Sequence, residues 1–325
     1  MGVLFCKKYI MNTKIILHIL LNPVAGNGKS KKAYAKLIQF LKQKKIEYST
    51  HSSSYSGNLT DIAQKYGNSL HSKNEILLVI GGDGSLNEVV NGIKRSQHPD
   101  TAIAYLPAGS GNDFARAAGL TNNPYKLVNQ LLQNYPAQQV DCGFFVDNDI
   151  KNEPIYFINN FGIGLDAYIV NRSNSHSLKK KLNKINFGNL VYVSNIFNAL
   201  IKQNTFSVTV RANEKEYKYD NVYFTTTTNH PYFGGGVAIL PKANIYSHVL
   251  DTVVVQKPNF IKFIKLFTKL IKDGSHVNDP LFHYIEAQEI HIKTNIPEYS
   301  QIDGESGPYS KYDITFKIDY FNLRK

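Results

Sequence analysis

Through the first 140 of the 325 residues, short continuous apolar runs alternate with segments whose apolar positions recur every three to four residues. Residues 15–21, 76–80 and 102–106 have the length and continuity of buried strands, and each runs into a loop containing glycine. Ala33, Tyr34, Leu37, Ile38 and Leu41, and later Leu86, Val89, Val90 and Ile93, keep the period of an amphipathic helix. Strand, loop and helix in repetition predict a doubly wound α/β domain on a parallel sheet, with ligand at the carboxyl ends of the strands. After Pro136 the pattern changes. Residues 155–160, 207–211, 221–228, 252–256, 289–293 and 314–318 read as strands separated by turn signals, which predicts a β-sandwich. Helical segments interrupt it at about 188–202 and 259–272. With Val140-Asp141-Cys142-Gly143 as the boundary, the domains are 1–140 and 141–307.

Composition narrows this picture. With 42% hydrophobic and 19% charged residues and no internal repeat, the chain is an ordinary globular sequence, long enough for two cores. The apolar run at residues 15–21 includes His18 and is far shorter than the roughly 20 residues that span a bilayer. Only Cys6 and Cys142 occur, which suits a reducing cytoplasm. Residues 1–14 read as an extension, with Met11 as an alternative start. Met1-Gly2 is not read as a myristoylation signal, because Cys6 stands where Ser or Thr is needed. A net charge of +12, from 37 basic and 25 acidic residues, predicts association with an anionic surface. No nucleic-acid motif or aromatic-interleaved basic stripe is present, so an anionic membrane is the expected partner and nucleic acid is not.

The loops carry the candidate chemistry. Gly81-Gly82-Asp83-Gly84 follows the second of the three apolar runs, and Ser85 and Glu88 have the spacing of a capping box at a helix start. Glycines let backbone amides approach an anion and the helix start adds its positive dipole end, so this is read as a nucleotide-phosphate loop. Asp83 is suited to a magnesium ion or its water rather than to phosphate. After the first run, Asn22-Pro23-Val24-Ala25-Gly26-Asn27-Gly28-Lys29-Ser30 resembles a Walker A loop only in its last three residues, since Pro23 stands where the first glycine belongs. Asn22, Gly26, Gly28 and Lys29 remain candidate phosphate contacts. The third loop runs from Pro107 to Arg116, with Gly109, Ser110 and Asn112 as candidate nucleotide contacts and Asn112 or Asp113 as a helix cap. Far downstream, Asp303-Gly304 between strand-like runs reads by itself as a hairpin turn.

Together, Asn22-Pro23 with Gly26 and Gly28, Gly81 through Ser85, Pro107 through Arg116, and Asp303-Gly304-Glu305 resemble the soluble bacterial diacylglycerol kinase family, which includes sphingosine and related lipid kinases. The segment Pro107-x-Gly109-x-x-Asn112-Asp113-Phe114-Ala115-Arg116 is the most specific part, whereas the Gly-Asp loop is shared with NAD kinases. The resemblance implies an amino-terminal domain holding ATP, a carboxy-terminal sandwich receiving the lipid, and a last strand, about 308–325, that returns to the first domain. It implies Asp303 as the residue that orients and deprotonates the lipid hydroxyl, Glu305 near the catalytic metal, and Asp83, Asp113 and Asp141 in a Mg2+ network. It further implies phosphorylation of diacylglycerol, at the inner face of the membrane, by a cytoplasmic protein for which a homodimer stays open. Segments 161–167 and 233–236 also look like family segments near the cleft. One departure is specific: residues 244–251 read Asn-Ile-Tyr-Ser-His-Val-Leu-Asp where the family has an acidic turn, so a second, structural metal is not expected.

Residues 258–272 place Lys262, Lys265, Lys269 and Lys272 on one helical face, with Phe260, Phe263, Ile264, Phe267, Leu270 and Ile271 on the others. The first expectation is a helix packed inward with a solvated lysine stripe. Membrane docking is the alternative, and Lys179-Lys180-Lys181 with Lys184 is a rival basic patch. Two other functions stay open at this stage, an NAD kinase-like enzyme and a non-catalytic lipid or nucleotide sensor.

Overall fold

A computed structural model describes residues 15–133, 135–150, 153–173 and 204–325. The helix expected at 188–202, the Lys179–Lys184 patch and the extension at 1–14 lie outside the described residues. The first part is a parallel sheet of β1 (Ile16–Leu21), β2 (Glu47–Ser52), β3 (Glu75–Gly81) and β4 (Ile103–Pro107) in the spatial order β2, β1, β3, β4. Its helices are α1 (Lys29–Lys44), α2 (Asn58–Gly67), α3 (Asp83–Lys94), α4 (Asp113–Ala117) and α5 (Pro124–Leu131). β1 and β3 are buried almost along their length, as continuous apolar runs predict for parallel strands covered on both faces. β2 is the edge strand, polar in sequence and without a buried residue, so hydrophobic pattern does not reveal it.

The second part is the antiparallel β-sandwich half. It comprises β5 (Gln138–Asp147), β6 (Ile155–Phe157), β7 (Asn160–Gly164), α6 (Leu165–Ser173), β8 (Phe206–Ala212) and β9 (Lys215–Thr228). The small hairpin β10 (Tyr232–Phe233) and β11 (Val237–Ala238) follows, then β12 (Leu250–Gln256) and α7 (Phe260–Lys272). The last strands are β13 (Phe282–Ala287), β14 (Glu289–Thr294), β15 (Glu298–Ile302), β16 (Glu305–Ser310) and β17 (Asp313–Arg324). Phe157, Phe161, Phe206, Val210, Ile290 and Phe316 stand at the centre of its core.

β17 joins the halves. Its end pairs in parallel with β4 at Leu323 and Arg324, while its length pairs antiparallel with β5 and its first residues with β14. Among the described residues, one sheet of 15 strands therefore runs through both halves. Val140 to Gly143, read from sequence as a boundary, lies inside β5, where Val140 and Cys142 are fully buried.

Three expectations change in the structure. Residues 155–160 form two short strands, β6 and β7, separated at Ile158 and Asn159. The Ser85/Glu88 capping box does not form, because α3 begins two residues earlier at Asp83. Glu88 instead caps the neighbouring helix: its carboxylate accepts from Gly57 N at 2.9 Å and Leu59 N at 3.0 Å, at the start of α2. α7 turns its apolar face outward; none of its residues is buried, and Phe260, Ile261 and Ile271 are 60%, 69% and 55% exposed.

Replacing Glu88 with Ala removes a charged N-cap from α2, which should cost about 1–2 kcal/mol. The expected result is a lower midpoint in urea unfolding followed by circular dichroism, with Glu88→Gln intermediate; an unchanged midpoint for Glu88→Ala would exclude the cap.

Candidate active site

The three glycine loops meet because their backbones touch. Ala108 N donates to Gly81 O at 2.7 Å, joining the ends of β3 and β4. A Cβ on Gly82 would lie 3.2 Å from the Cα of Gly109, and one on Gly109 would overlap Gly82 outright, so the loops lie back to back with no room for a side chain. Gly26, at φ +60°, is pressed against Ala108 O and brings in the loop after β1. From that loop Asn22 donates through Nδ2 to Ser85 Oγ at 3.0 Å. Lys29 opens α1 as an exposed residue, Gly28 caps it at φ +86°, and Ser110 is exposed on the third loop. The amino end of α3 thus opens into a cradle walled by small residues, the arrangement that binds phosphate through backbone amides and helix dipole.

Asp83 caps α4. Its carboxylate accepts from Asp113 N at 3.0 Å and Phe114 N at 3.3 Å, while Asn112, at φ +55°, contributes no side-chain cap and instead exchanges hydrogen bonds with Gly109. Asp113 is buried and its carboxylate binds Arg116 and Gly235 N, the latter at 2.7 Å. Gly235 belongs to the β10–β11 turn, so Asp113 ties the third loop to the sandwich half; the Arg116 guanidinium also lies 5.3 Å from the Tyr232 ring. Burial lifts the Asp83 pKa to about 6, aided by the nearby Asp113 charge and opposed by the amides it accepts from.

Asp303 is in the β15–β16 hairpin, a two-residue turn with Asp303 at φ +50° and Gly304 at φ +85°. Both positive angles mark a type I′ turn, so the hairpin reading of Asp-Gly describes the backbone. Its side chain does something a turn does not require. Oδ1 accepts from Asn159 N and Asn160 N at 2.8 and 2.9 Å, and Oδ2 from Ile158 N at 2.9 Å and Asn87 Nδ2 at 2.8 Å. Two of the three amides belong to the break between β6 and β7 and the third, Asn160 N, opens β7, while Asn87 lies one turn along α3 from Asp83. One carboxylate therefore connects the phosphate-loop helix to the sandwich. Burial raises its pKa to about 6 against the lowering effect of the three backbone amides, with the Asp83 charge adding to the rise.

The remaining predicted residues are dispersed. Glu305, first residue of β16, is exposed. Glu88 is engaged at α2. Asp141 is buried in β5 and binds His248, through the backbone N at 2.7 Å and the ring Nδ1 at 2.9 Å, closing the 244–249 turn in which the acidic residues are absent. Several residues around Asp303 carry no motif. Asn87 and Asn91, four apart on α3, both donate to Tyr156 O, and His230 donates through Nε2 to Asn159 Oδ1 at 2.8 Å while its Nδ1 accepts from Tyr232 N. Burial holds the His230 pKa down at about 3, so the ring is neutral. Gln301 joins Asn160 to Asp166, whose own pKa burial raises to about 6. The sequence signal for Asn87 and Asn91 is a pair of amides on the core-facing side of an apolar helix.

A phosphate cradle on a doubly wound sheet, linked by one helix to an aspartate at the edge of a β-sandwich, defines the two-domain kinase architecture shared by lipid kinases and NAD kinases. Residues 16–144 match the diacylglycerol kinase catalytic domain and residues 160–315 the YegS C-terminal NAD kinase beta sandwich-like domain. The chain belongs to the diacylglycerol kinase family. It is 28% identical over 293 residues to YtlR of Bacillus subtilis, a protein assigned to the lipid kinases by inference, covering 88% of this chain and 92% of YtlR. It is 28% identical over 299 residues to the diacylglycerol kinase of Bacillus subtilis, 89% of each chain. A diacylglycerol kinase structure from Bacillus anthracis superposes with a TM-score of 0.65 at 19% identity over 96% of both chains, and yeast NADH kinase with 0.51 at 10% identity over 97% of this chain and 85% of that one. The last two likenesses concern the fold. As a kinase of this family, the protein takes ATP as substrate.

The glycine contacts separate two roles. Gly109→Ala should destabilise the fold by about 1–3 kcal/mol, because its Cβ meets backbone that cannot yield. Gly84→Ala meets nothing within 4 Å and should leave stability unchanged or slightly higher while weakening nucleotide binding. Chemical denaturation and ATP titration of both variants check this; equal stability would remove the back-to-back contact from the account.

Proposed function

We propose that the protein is an ATP- and Mg2+-dependent lipid kinase that phosphorylates a lipid hydroxyl, with diacylglycerol, giving phosphatidic acid, as the first acceptor to test. The observation that carries this reading is the fourfold capture of Asp303 next to the phosphate-loop helix. The lipid oxygen forms a bond to the γ-phosphorus as the bond from that phosphorus to the β–γ bridging oxygen breaks and ADP leaves. Asp303 takes the hydroxyl proton on Oδ2, through the lone pair that Asn87 Nδ2 occupies in this structure and gives up when the lipid binds. A loose phosphoryl-transfer transition state asks chiefly for a well-placed nucleophile, and a carboxylate held by the three backbone amides of Ile158, Asn159 and Asn160 is a rigid acceptor for orienting one. With its pKa near 6, Asp303 is mostly ionised at neutral pH and a better base than an ordinary aspartate.

The donor set fits Mg2+. Asp83 and Asp113 offer hard oxygen ligands on either side of Gly111, whose added Cβ would lie 3.6 and 3.8 Å from an oxygen of each, and their mutual repulsion is what a cation relieves. Bound there, the ion would offset phosphate charge. On this reading Asn22, Gly26, Gly28, Lys29, Gly81, Gly82, Gly84, Ser85, Gly109, Ser110 and Asn112 would contact the triphosphate, while Glu88 and Asp141 bind neighbouring structure and Glu305 stands at the hairpin edge.

α7 supports a lipid acceptor independently. A helix with no buried residue, exposing Phe260, Ile261 and Ile271 among four lysines, on a chain of charge +12, suits insertion into an anionic interface. No helix among the described residues is long and apolar enough to cross a membrane. The protein on this reading works from the cytoplasm, peripherally, at the inner membrane face.

Incubation with labelled ATP and Mg2+ over a mixed lipid extract should label one lipid. Asp303→Asn should lower turnover at least 100-fold with ATP binding kept. Labelling of NAD in free solution, or ATP binding with no turnover, would replace the lipid-kinase reading by an NAD kinase or a sensor. Because protonation removes the acceptor, log kcat/KM should fall with unit slope as pH decreases below about 6, where Asp303 titrates. An acidic limb lying near about 4 would mean that Asp303 titrates as an ordinary aspartate, and would remove its raised pKa from the account.

Phe260→Glu with Ile264→Glu should release the protein from vesicles of phosphatidylglycerol in co-sedimentation and raise KM for vesicular lipid, with the unfolding midpoint unchanged. Retained binding would exclude α7 as the docking helix.

A further inference from the structure

At the amino ends of the same strands, away from the glycine loops, three metal-binding side chains converge. His18 is the third residue of β1 and Glu75 the first of β3, while His71 comes from the loop that follows α2. His18 Nε2 and His71 Nδ1 each lie 3.0 Å from the same oxygen, Glu75 Oε2, and the three ligand atoms are all within 4.8 Å of one another. The nucleotide loop begins six residues further along β3, about 20 Å away.

The opposite atom of each side chain is held by a single partner. His18 Nδ1 is 3.0 Å from Ser49 Oγ, His71 Nε2 is 2.9 Å from Tyr66 O, and Glu75 Oε1 accepts from Ser72 N at 3.0 Å. Orientation of ligands through their far atoms is how metal sites are built. The Tyr66 contact is decisive. A carbonyl only accepts, so the proton of a neutral His71 is on Nε2 and the lone pair of Nδ1 points at a carboxylate oxygen. Two lone pairs 3.0 Å apart require a positive centre between them.

We propose that His18, His71 and Glu75 bind one divalent transition-metal ion of the zinc class, with its fourth position open to solvent. Two imidazoles and one carboxylate form a borderline donor set that selects zinc or cobalt over magnesium or calcium. The ring-to-carboxylate distances are a few tenths of an ångström short of the roughly 3.3 Å between two ligands of one tetrahedral zinc, and the two ring nitrogens, within 4.8 Å of each other, would draw together on binding. His18 and Glu75 side chains are 22% and 24% exposed and His71 20%, so an ion can enter. Bound there, it would clip the α2–β3 loop to β1 and stiffen the sheet from the end opposite the nucleotide.

The test uses the full chain without a polyhistidine tag, stripped with chelator and titrated with Co2+. One equivalent should bind with the visible absorption of a four-coordinate nitrogen–oxygen site, and Zn2+ should displace it where millimolar Mg2+ does not. Zn2+ should raise the melting temperature of the wild-type protein by several degrees and leave His71→Gln unmoved. Should His71→Gln fail to fold, Glu75→Gln gives the same comparison. Absence of a Co2+ spectrum would overturn the proposal and leave a proton as the bridge between His71 and Glu75, and so would an undiminished Co2+ spectrum in a folded variant.

Discussion

The capture of one aspartate by a broken strand organises the middle of this molecule. Had residues 155–160 continued as one strand, the amides of Ile158, Asn159 and Asn160 would have gone into ladder hydrogen bonds. The interruption frees them to converge on Asp303, and Asn87 of α3 supplies the fourth donor. Burying a carboxylate is costly unless each oxygen is paired, and here each has two donors. The hairpin must present Asp303 at a positive φ and the helix must approach closely enough for Asn87, so the position of the sandwich relative to the phosphate loops follows from a single ion's need for partners.

A second tie, through Asp113, works on the same principle. Asp83 caps α4, α4 carries Asp113, and Asp113 reaches Gly235 of the sandwich. The residues at the glycine-loop cradle are thereby also those that fix the two halves to each other. Substitution there would change geometry on both sides of the cleft, and binding and domain arrangement are expected to respond together.

Much of the parallel half was legible because buried parallel strands are continuous apolar runs, and residues 15–21, 76–80 and 102–106 are such runs. The glycine loops were legible for a related reason: close backbone approach at Gly82 and Gly109 excludes every other residue. What stayed hidden depends on partners distant in sequence. β2 is polar because it is an edge, and the break at Ile158 looks like strand because both of its flanks are strand. Glu88 has the spacing of a cap for its own helix yet serves α2, since spacing along a chain says nothing about which backbone amides are nearest in space. The outward face of α7 shows the same limit, because amphipathic period gives two faces without saying which is turned to solvent. Asn87 belongs here too. Its pairing with Asn91 on the core-facing side of α3 is a local signal, but its partner is 216 residues away and the sequence does not say which carboxylate it serves.

β17 makes the order of synthesis matter. Among the described residues, the parallel sheet that begins at residue 16 obtains its second neighbour for β4 from Leu323 and Arg324, at the end of the last sandwich strand. During translation the first four strands must wait with the exposed edge of β4 unpaired, and such an edge invites pairing with another chain. The nascent amino-terminal half is therefore the stretch on which a chaperone has most reason to act, and the molecule is committed to folding as a whole although its architecture divides in two.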